Sequence, residues 1–551
     1  MKLLKIGAII VFVLVLALVG GGYWLIDSAL TGSVKERMLA EAGERLGTSV
    51  SIRDLGVDMG SLLRLKPAVS MAGLAVANPP GFAKSNLLEA DRVSALLDFS
   101  AALNRRVALT SMTIESPRVA IESNAAGKTN LDALVEKMSA KQSASATPAV
   151  SASGNATEFA VGEIAILGGT VTVGGDKTFR DLAFRLSGLE AGKASVVELG
   201  AKLFDSPNSI VTAKGAIGPF GGTSLPVDVT ANLELALAEL PKNVRERTLG
   251  ELVADPGAAS RVSLTLAPKG DLEGVLNAAG EVKLTSLLIG NPGDKNRLTL
   301  AGTAPLSIRA VKPLSGEELE LRSEKASLQL GKGRWNGDLR ATRKAVRLAG
   351  GISGAIRDVD VDQMMTSFAG SPGKVYGTLA IPEFALNFAG ENAAQLQRSL
   401  TGRGRLTVDN GRFQLLSVLA SIERALAGGG AAPQANGEFA QFSTAFEIAN
   451  QAVAMNGISV TGPGLKIGGR GTVTFAKALN FRLDSTITGN TAQALKARTG
   501  GILGDDLRVP VTIAGTLDQP QVRPEIKSVA ANAAKSAAQG ILKSFFGNKK
   551  N

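Results

Sequence analysis

Apolar residues along this chain follow three different spacings, and each predicts a different element. From Ile6 to Ile26 the run IGAIIVFVLVLALVGGGYWLI carries no charge and has no polar face. A helix of that length spans about 30 Å, the thickness of a bilayer's hydrocarbon core. The expected anchor runs through Ile6, Ile10, Leu14 and Leu18 to Tyr23, Trp24 and Ile26, with the two rings at the far interface. Lys2 and Lys5 precede it and Asp27 follows, which makes residues 1–5 a cytoplasmic stub and translocates everything after residue 26. A cleaved signal peptide is the competing reading, because Gly20, Gly21 and Gly22 offer small residues to a peptidase; the run is longer than a usual signal core. No later stretch resembles a second span.

The second spacing is helical. Ser33 and Glu36 have the separation of a capping box, and Val34, Met38, Ala42 and Leu46 then recur every four residues up to Gly47. Leu131–Met138 and Leu415–Leu426 predict further helices, and Val244–Val253 does so more weakly. The tail, 527–551, continues a stripe of Ile526, Val529, Ala533, Ala537 and Ile541 opposite Ser528, Lys535, Gln539 and Lys543. Such a helix lies on a membrane, docks on a partner or caps a sheet.

The third spacing, a period of two, governs most of the rest. Val50 and Ile52, Val107 and Leu109, then Met112 and Ile114 alternate with polar neighbours within 27–138. Residues 139–157, rich in Ser, Ala and Thr, read as a linker. Alternation and glycine punctuation then run through a middle region, 158–400, and a final one, 401–526. In the latter, Leu406, Val408, Phe442, Phe446, Val473, Phe475, Phe481, Leu483 and Ile487 fall on the apolar parity. Asn-Gly pairs at 336–337, 410–411, 436–437 and 456–457 predict turns. The expected fold is mainly β: a long antiparallel, twisted sheet with a few short helices behind one transmembrane helix. At about 12 residues per strand and turn, this amounts to about 30 strands.

Composition narrows the chemistry. The 551 residues include no Cys and no His, so thiolate and imidazole catalysis, Ser–His–Asp triads and the HExxH zinc motif are excluded. Neither GxxxxGK[ST] nor a strand–GxGxxG–helix occurs, and RDVDVDQ, with Asp358, Asp360 and Asp362, lacks the Gly and closing Glu of a calcium loop. It reads as a strand edge or helix cap. No catalytic residue, metal site or cofactor is expected. The +11 charge is scattered without aromatic interleaving, which argues against nucleic acid. Apolar residues reach 45% but aromatics only 4%. A large sandwich or barrel ordinarily fills its core with aromatics. A one-sided sheet would instead leave an aliphatic trough, and a trough implies a ligand; ordinary β-sandwiches remain the alternative. The inward face is assigned by parity, which a one-residue slip reverses.

Several segments resemble the AsmA-like family, inner-membrane-anchored periplasmic proteins of Gram-negative envelopes. RLGTSVSIRDL (45–55), LKPAVSMAGLAVANPPGF (65–82), and MTIESPRVAIE (112–122) with GKTNL (127–131) match the family's amino-terminal pattern. GRGRLTVDNGRF (402–413) and LRVPVTIAGTLDQPQVRPEI (507–526) resemble its carboxyl-terminal one. The resemblance implies a β groove of the bridge-like, TamB or chorein type that conducts phospholipid toward the outer membrane without chemistry. Val107 and Leu109 together with the nine residues above would line it, and Arg403, Arg405 and Arg470 would either meet phosphates or simply be solvated. The alternative function is envelope assembly, supporting outer-membrane protein biogenesis or secretion through protein contacts of the sheet edges or the tail helix. A hydrolase or glycan-binding module is disfavoured by the missing His and the few aromatics.

Overall fold

In a computed structural model, the described residues are 34–58, 66–98, 107–137, 159–249, 256–413, 437–489 and 507–525, less positions 126, 135, 176 and 292; 418, 421, 422, 492 and 493 are also described. The expected anchor at 6–26, linker at 139–157 and tail helix at 527–551 lie outside them, as does most of the expected helix at 415–426. No helix among the described residues is long and apolar enough to cross a membrane. The chain is mainly β, with twenty-five strands among these residues. It divides into a first unit (Met1–Arg245, Arg261–Val282, Ser307–Leu319) and a second (Glu246–Ser260, Lys283–Leu306, Glu320–Asn551).

The first unit opens with α1 (Val34–Leu46), the helix expected from the four-residue spacing, which ends at Gly47 with φ +67°. Its strands are β1 (Val50–Ser51), β2 (Asp54–Asp58), β3 (Ala68–Ala77), β4 (Asn86–Asp98), β5 (Val107–Glu115), β6 (Arg118–Ile121), β7 (Phe159–Val173), β8 (Lys177–Glu190), β9 (Ser195–Leu203), β10 (Ile210–Ile217), β11 (Pro226–Ala236) and β12 (Arg261–Asp271). Val69 and Met71, then Leu74 and Val76, turn into one core with Val93, Met112, Ile114, Val161 and Ile164. The switch of parity falls at Gly73, whose φ of +64° suits a residue without Cβ. The sheet is mixed rather than wholly antiparallel: β7 runs parallel to both β5 and β6. Parallel neighbours require a long crossover, and the chain between β6 and β7 provides one. Within that connection 130–134 is helical, and Leu131 and Leu134 pack with Leu87 and Ile121.

From β7 to β12 each strand pairs antiparallel with the next. Oppositely charged neighbours meet on the polar face, including Lys202–Asp181, Lys214–Glu198 and Lys269–Asp228, each at 2.7 Å. The helix expected over 244–253 appears as α2 (Lys242–Leu249), starting earlier because Pro241 accepts from Val244 and Arg245.

Strands β13 (Val275–Ile289), β14 (Leu298–Val311) and β15 (Glu318–Leu330) contribute residues to both units. In the second unit, β16 (Gly333–Lys344), β17 (Arg347–Asp360), β18 (Val375–Gly390), β19 (Thr401–Phe413), β20 (Glu438–Ala449), β21 (Ala452–Gly462), β22 (Leu465–Thr474), β23 (Leu479–Ile487), β24 (Leu507–Gly515) and β25 (Pro520–Pro524) pair antiparallel in sequence order. Helix α3 (Val361–Ala369) joins β17 to β18, and α4 (Ala393–Ser399) joins β18 to β19.

Three of the Asn-Gly pairs are not the turns expected of them, and Asn436 of the fourth lies outside the described residues. Asn336-Gly337 and Asn410-Gly411 lie inside β16 and β19, and Gly457, with φ +65°, forms a bulge in β21. Residues that tolerate positive φ serve bulges as readily as hairpins. The β20–β21 hairpin turns instead through Asn450 and Gln451, both at positive φ, as a two-residue I′ loop requires.

One carboxylate yields a pH prediction. Asp271 accepts the backbone N–H groups of Leu225 and Glu273, both at 2.9 Å, and the Ser224 hydroxyl at 2.8 Å, which holds its pKa below the ordinary value. A depressed folded-state pKa stabilises above the unfolded value and loses that contribution as pH falls through the folded one. Asp271→Asn is therefore expected to lower the thermal midpoint at neutral pH. The gap to wild type should narrow below about pH 4, as read from unfolding curves across pH.

Candidate functional site: an apolar cavity in the second unit

The second unit holds a partly open cavity of about 990 Å³, which falls at the upper end of the size range of small-ligand pockets. Its wall follows from strand register. Leu379, Val408, Phe442, Val460 and Ile467 are successive partners across β18 to β22, and all five face the cavity. Val453, Val473 and Leu479 form a second rank, and Met455, Gly471, Phe481 and Ile513 a third. Pairing at a fixed register sends every partner in a rank to the same side of the sheet.

Glycine fits large side chains into these ranks. Gly471 lies opposite Phe481 and Gly469 opposite Leu483. A Cβ added at Gly471 would overlap the Phe481 ring, and one at Gly469 would stand 2.9 Å from Leu483 Cδ2. Gly404 opposite Phe446 and Gly411 opposite Phe439 repeat the arrangement. Phe413, Phe439 and Phe442 form an aromatic corner, with ring centroids 4.7 to 6.4 Å apart.

Helix α3 supplies the other wall, and its sequence explains how. Val361, Met364, Met365 and Phe368 share one side and line the cavity. The opposite side holds Asp362, Thr366 and Ser367, all buried. The Asn296 side-chain amide donates to Asp362 at 2.8 Å, the Gly373 N–H donates to it at 2.5 Å, and the Leu298 N–H donates to Ser367 Oγ at 2.8 Å. Asp360 caps the helix by accepting from the Gln363 N–H at 3.0 Å, so RDVDVDQ serves as a helix cap. The helix is thus pinned by its polar side and turns its apolar side to open space. Phe368 stays 55% exposed while lining the cavity, which leaves that side open.

Seven sequence candidates meet here: Leu406, Val408, Phe442, Val473, Phe475, Phe481 and Leu483. Phe446 is not in the lining but lies opposite Met455, which is. Ile487 is fully buried between Leu465 and Leu507. Leu109 belongs to the packed core of the first unit, and Val107 begins β5 there. The α3 stripe, Phe413, Phe439, Val453 and Met455 were missed, although the three- and four-residue spacing of Val361, Met364, Met365 and Phe368 was visible in VDQMMTSFA.

Arg403, Arg405 and Arg470 point away from the cavity. Arg405, Ala445, Asn456, Arg470, Arg482, Thr512 and Arg523 are successive partners on the polar face, where all four arginines are exposed. No group of acidic residues among the described ones is placed to hold a metal ion.

The model of the AsmA family matches residues 1–217, which supports an AsmA-like assignment for this chain. No curated protein and no solved structure matches it.

The glycine–phenylalanine fit can be tested by stability. Gly471→Ala is expected to cost about 1–3 kcal/mol, the usual range for overpacking. Gly200→Ala, whose Cβ would meet nothing within 4 Å, should change stability by under about 0.5 kcal/mol. Equal thermal shifts for the two would contradict the fit.

Proposed function

From an AsmA-like chain with an apolar cavity in its second unit, we propose a non-enzymatic lipid carrier of the cell envelope. In this reading the protein is anchored in the inner membrane by residues 6–26, with its amino terminus cytoplasmic and the bulk of the chain periplasmic. It binds phospholipid acyl chains and passes them toward the outer membrane. The observation that carries the proposal is the cavity. Half-buried Leu406, Phe442, Met455, Val473 and Phe481 face space, where a packed core would have closed over them. Each methylene sheltered there contributes about 0.8 kcal/mol, so acyl chains bind firmly without specific contacts and exchange without chemistry.

The test is the phospholipid that co-purifies with the full chain. Val473→Asp puts a charge on the cavity face, and Thr472→Asp puts one on the opposite face as a control. Wild type and Thr472→Asp should carry phospholipid by native mass spectrometry, and folded Val473→Asp should lose most of it. Equal lipid on both variants would contradict the proposal, and a lipid-free wild type would favour envelope assembly through protein contacts.

A further inference from the structure

Among the described residues the cavity lining is apolar with few exceptions, and Lys477 is the cation in it. Pockets of this kind fix the orientation of a ligand through a small number of polar groups. We propose that Lys477, with Lys374 beside it, binds the anionic head, a phosphate or carboxylate, of an amphiphile whose tail occupies the cavity. The inference rests on the lipid reading of the same cavity and adds which head it takes and which end of the cavity holds it.

Lys477 sits in the turn between β22 and β23 with φ +66°, and this turn is well tied down. Its N–H donates to Thr474 O at 2.8 Å, its carbonyl accepts from the Leu517 N–H at 2.9 Å, and Thr474 Oγ1 accepts from the Ala478 N–H at 3.0 Å. The backbone therefore fixes where the side chain starts. The ammonium donates to the Ser371 hydroxyl at 3.0 Å.

Charge balance at this rim is incomplete. Asp518 stands 3.6 Å from Lys477 and 3.7 Å from Lys374, so one carboxylate is shared by two cations. Both separations exceed hydrogen-bond length. The side chains of Lys374, Lys477 and Asp518 are 24%, 35% and 51% exposed, which puts the cluster at a rim open to a head group in water. Two ammonium groups and a hydroxyl beside an apolar chamber suit an oxyanion with a hydrocarbon tail.

The lining's acidic residue, Glu438, begins β20 and pairs with Arg412, whose neighbour Phe413 is the register partner of Val375, next to Lys374. Asp518 is the carboxylate within 4 Å of both ammonium groups. The arginines of the polar face, Arg470 among them, point away and provide a control.

The experiment offers the full chain, in a non-ionic detergent, dodecyl phosphate, dodecanol or inorganic phosphate, and reads binding by native mass spectrometry. Dodecyl phosphate should bind about tenfold more tightly than dodecanol, the size of one charge-assisted contact. Lys477→Gln should abolish that preference by weakening dodecyl phosphate binding, whereas Arg470→Gln should leave the preference as in wild type. Asp518→Asn, which removes the competing carboxylate and no packing, should strengthen the preference. Equal binding of the two alkyl probes to wild type, or a preference that survives Lys477→Gln, overturns the head-group assignment while the lipid cavity stands. Displacement of dodecyl phosphate by equimolar inorganic phosphate overturns it too, by assigning the rim to a free anion. Failure of both alkyl probes to bind overturns the cavity reading and this inference together.

Discussion

The second unit depends on one constraint: partners across an antiparallel ladder point to the same side, so an apolar residue in one strand commits its partners in the next. The rank from Leu379 through Val408, Phe442 and Val460 to Ile467 is that commitment across five strands. Once the rank is built, the face needs a cover. Where side chains interdigitate, the result is a packed core, as among Val93, Met112, Ile114 and Ile164 in the first unit. In the second unit the described cover includes α3, a short helix held by its polar side, with Gln397 and Val418 also in the lining, and space remains under it.

Few aromatics are available, and the second unit uses them economically. Phe388, Phe439, Phe446 and Phe481 each lie opposite a glycine: Gly350, Gly411, Gly404 and Gly471 respectively. A large ring next to an absent side chain fills its own space and its partner's. The wall therefore stays close-fitting while most of its surface is aliphatic, and flexible chains can slide over aliphatic groups without a preferred orientation. Orientation is left to a few polar groups at the rim.

Much of this was legible in the sequence where period alone carries the information. The strands of 401–487 and the apolar parity at Leu406, Val408, Val473, Phe481 and Leu483 follow from alternation. What period cannot give is which apolar face meets another. Leu109 and Leu483 both sit on the apolar parity of a strand and both are buried, yet one packs in a core and the other lines a cavity. Bulges also defeat a parity count: Gly457 shifts β21 so that Val453, Met455, Ile458 and Val460 all face inward. The Asn-Gly pairs misled because a residue that tolerates positive φ is equally useful inside a strand. The parallel entry of β7 depends on the crossover before it, which alternation within the strands does not encode.

Photocrosslinking at neighbouring positions on opposite faces tests the central claim most directly. A photoreactive amino acid placed at Phe481, inside the cavity, or at Arg482, on the polar face, would be activated in cells whose phospholipid carries radioactive phosphate. Labelled lipid attached at 481 and not at 482 is the predicted result. Label absent from 481, or equal at both positions, would contradict a lipid-filled cavity.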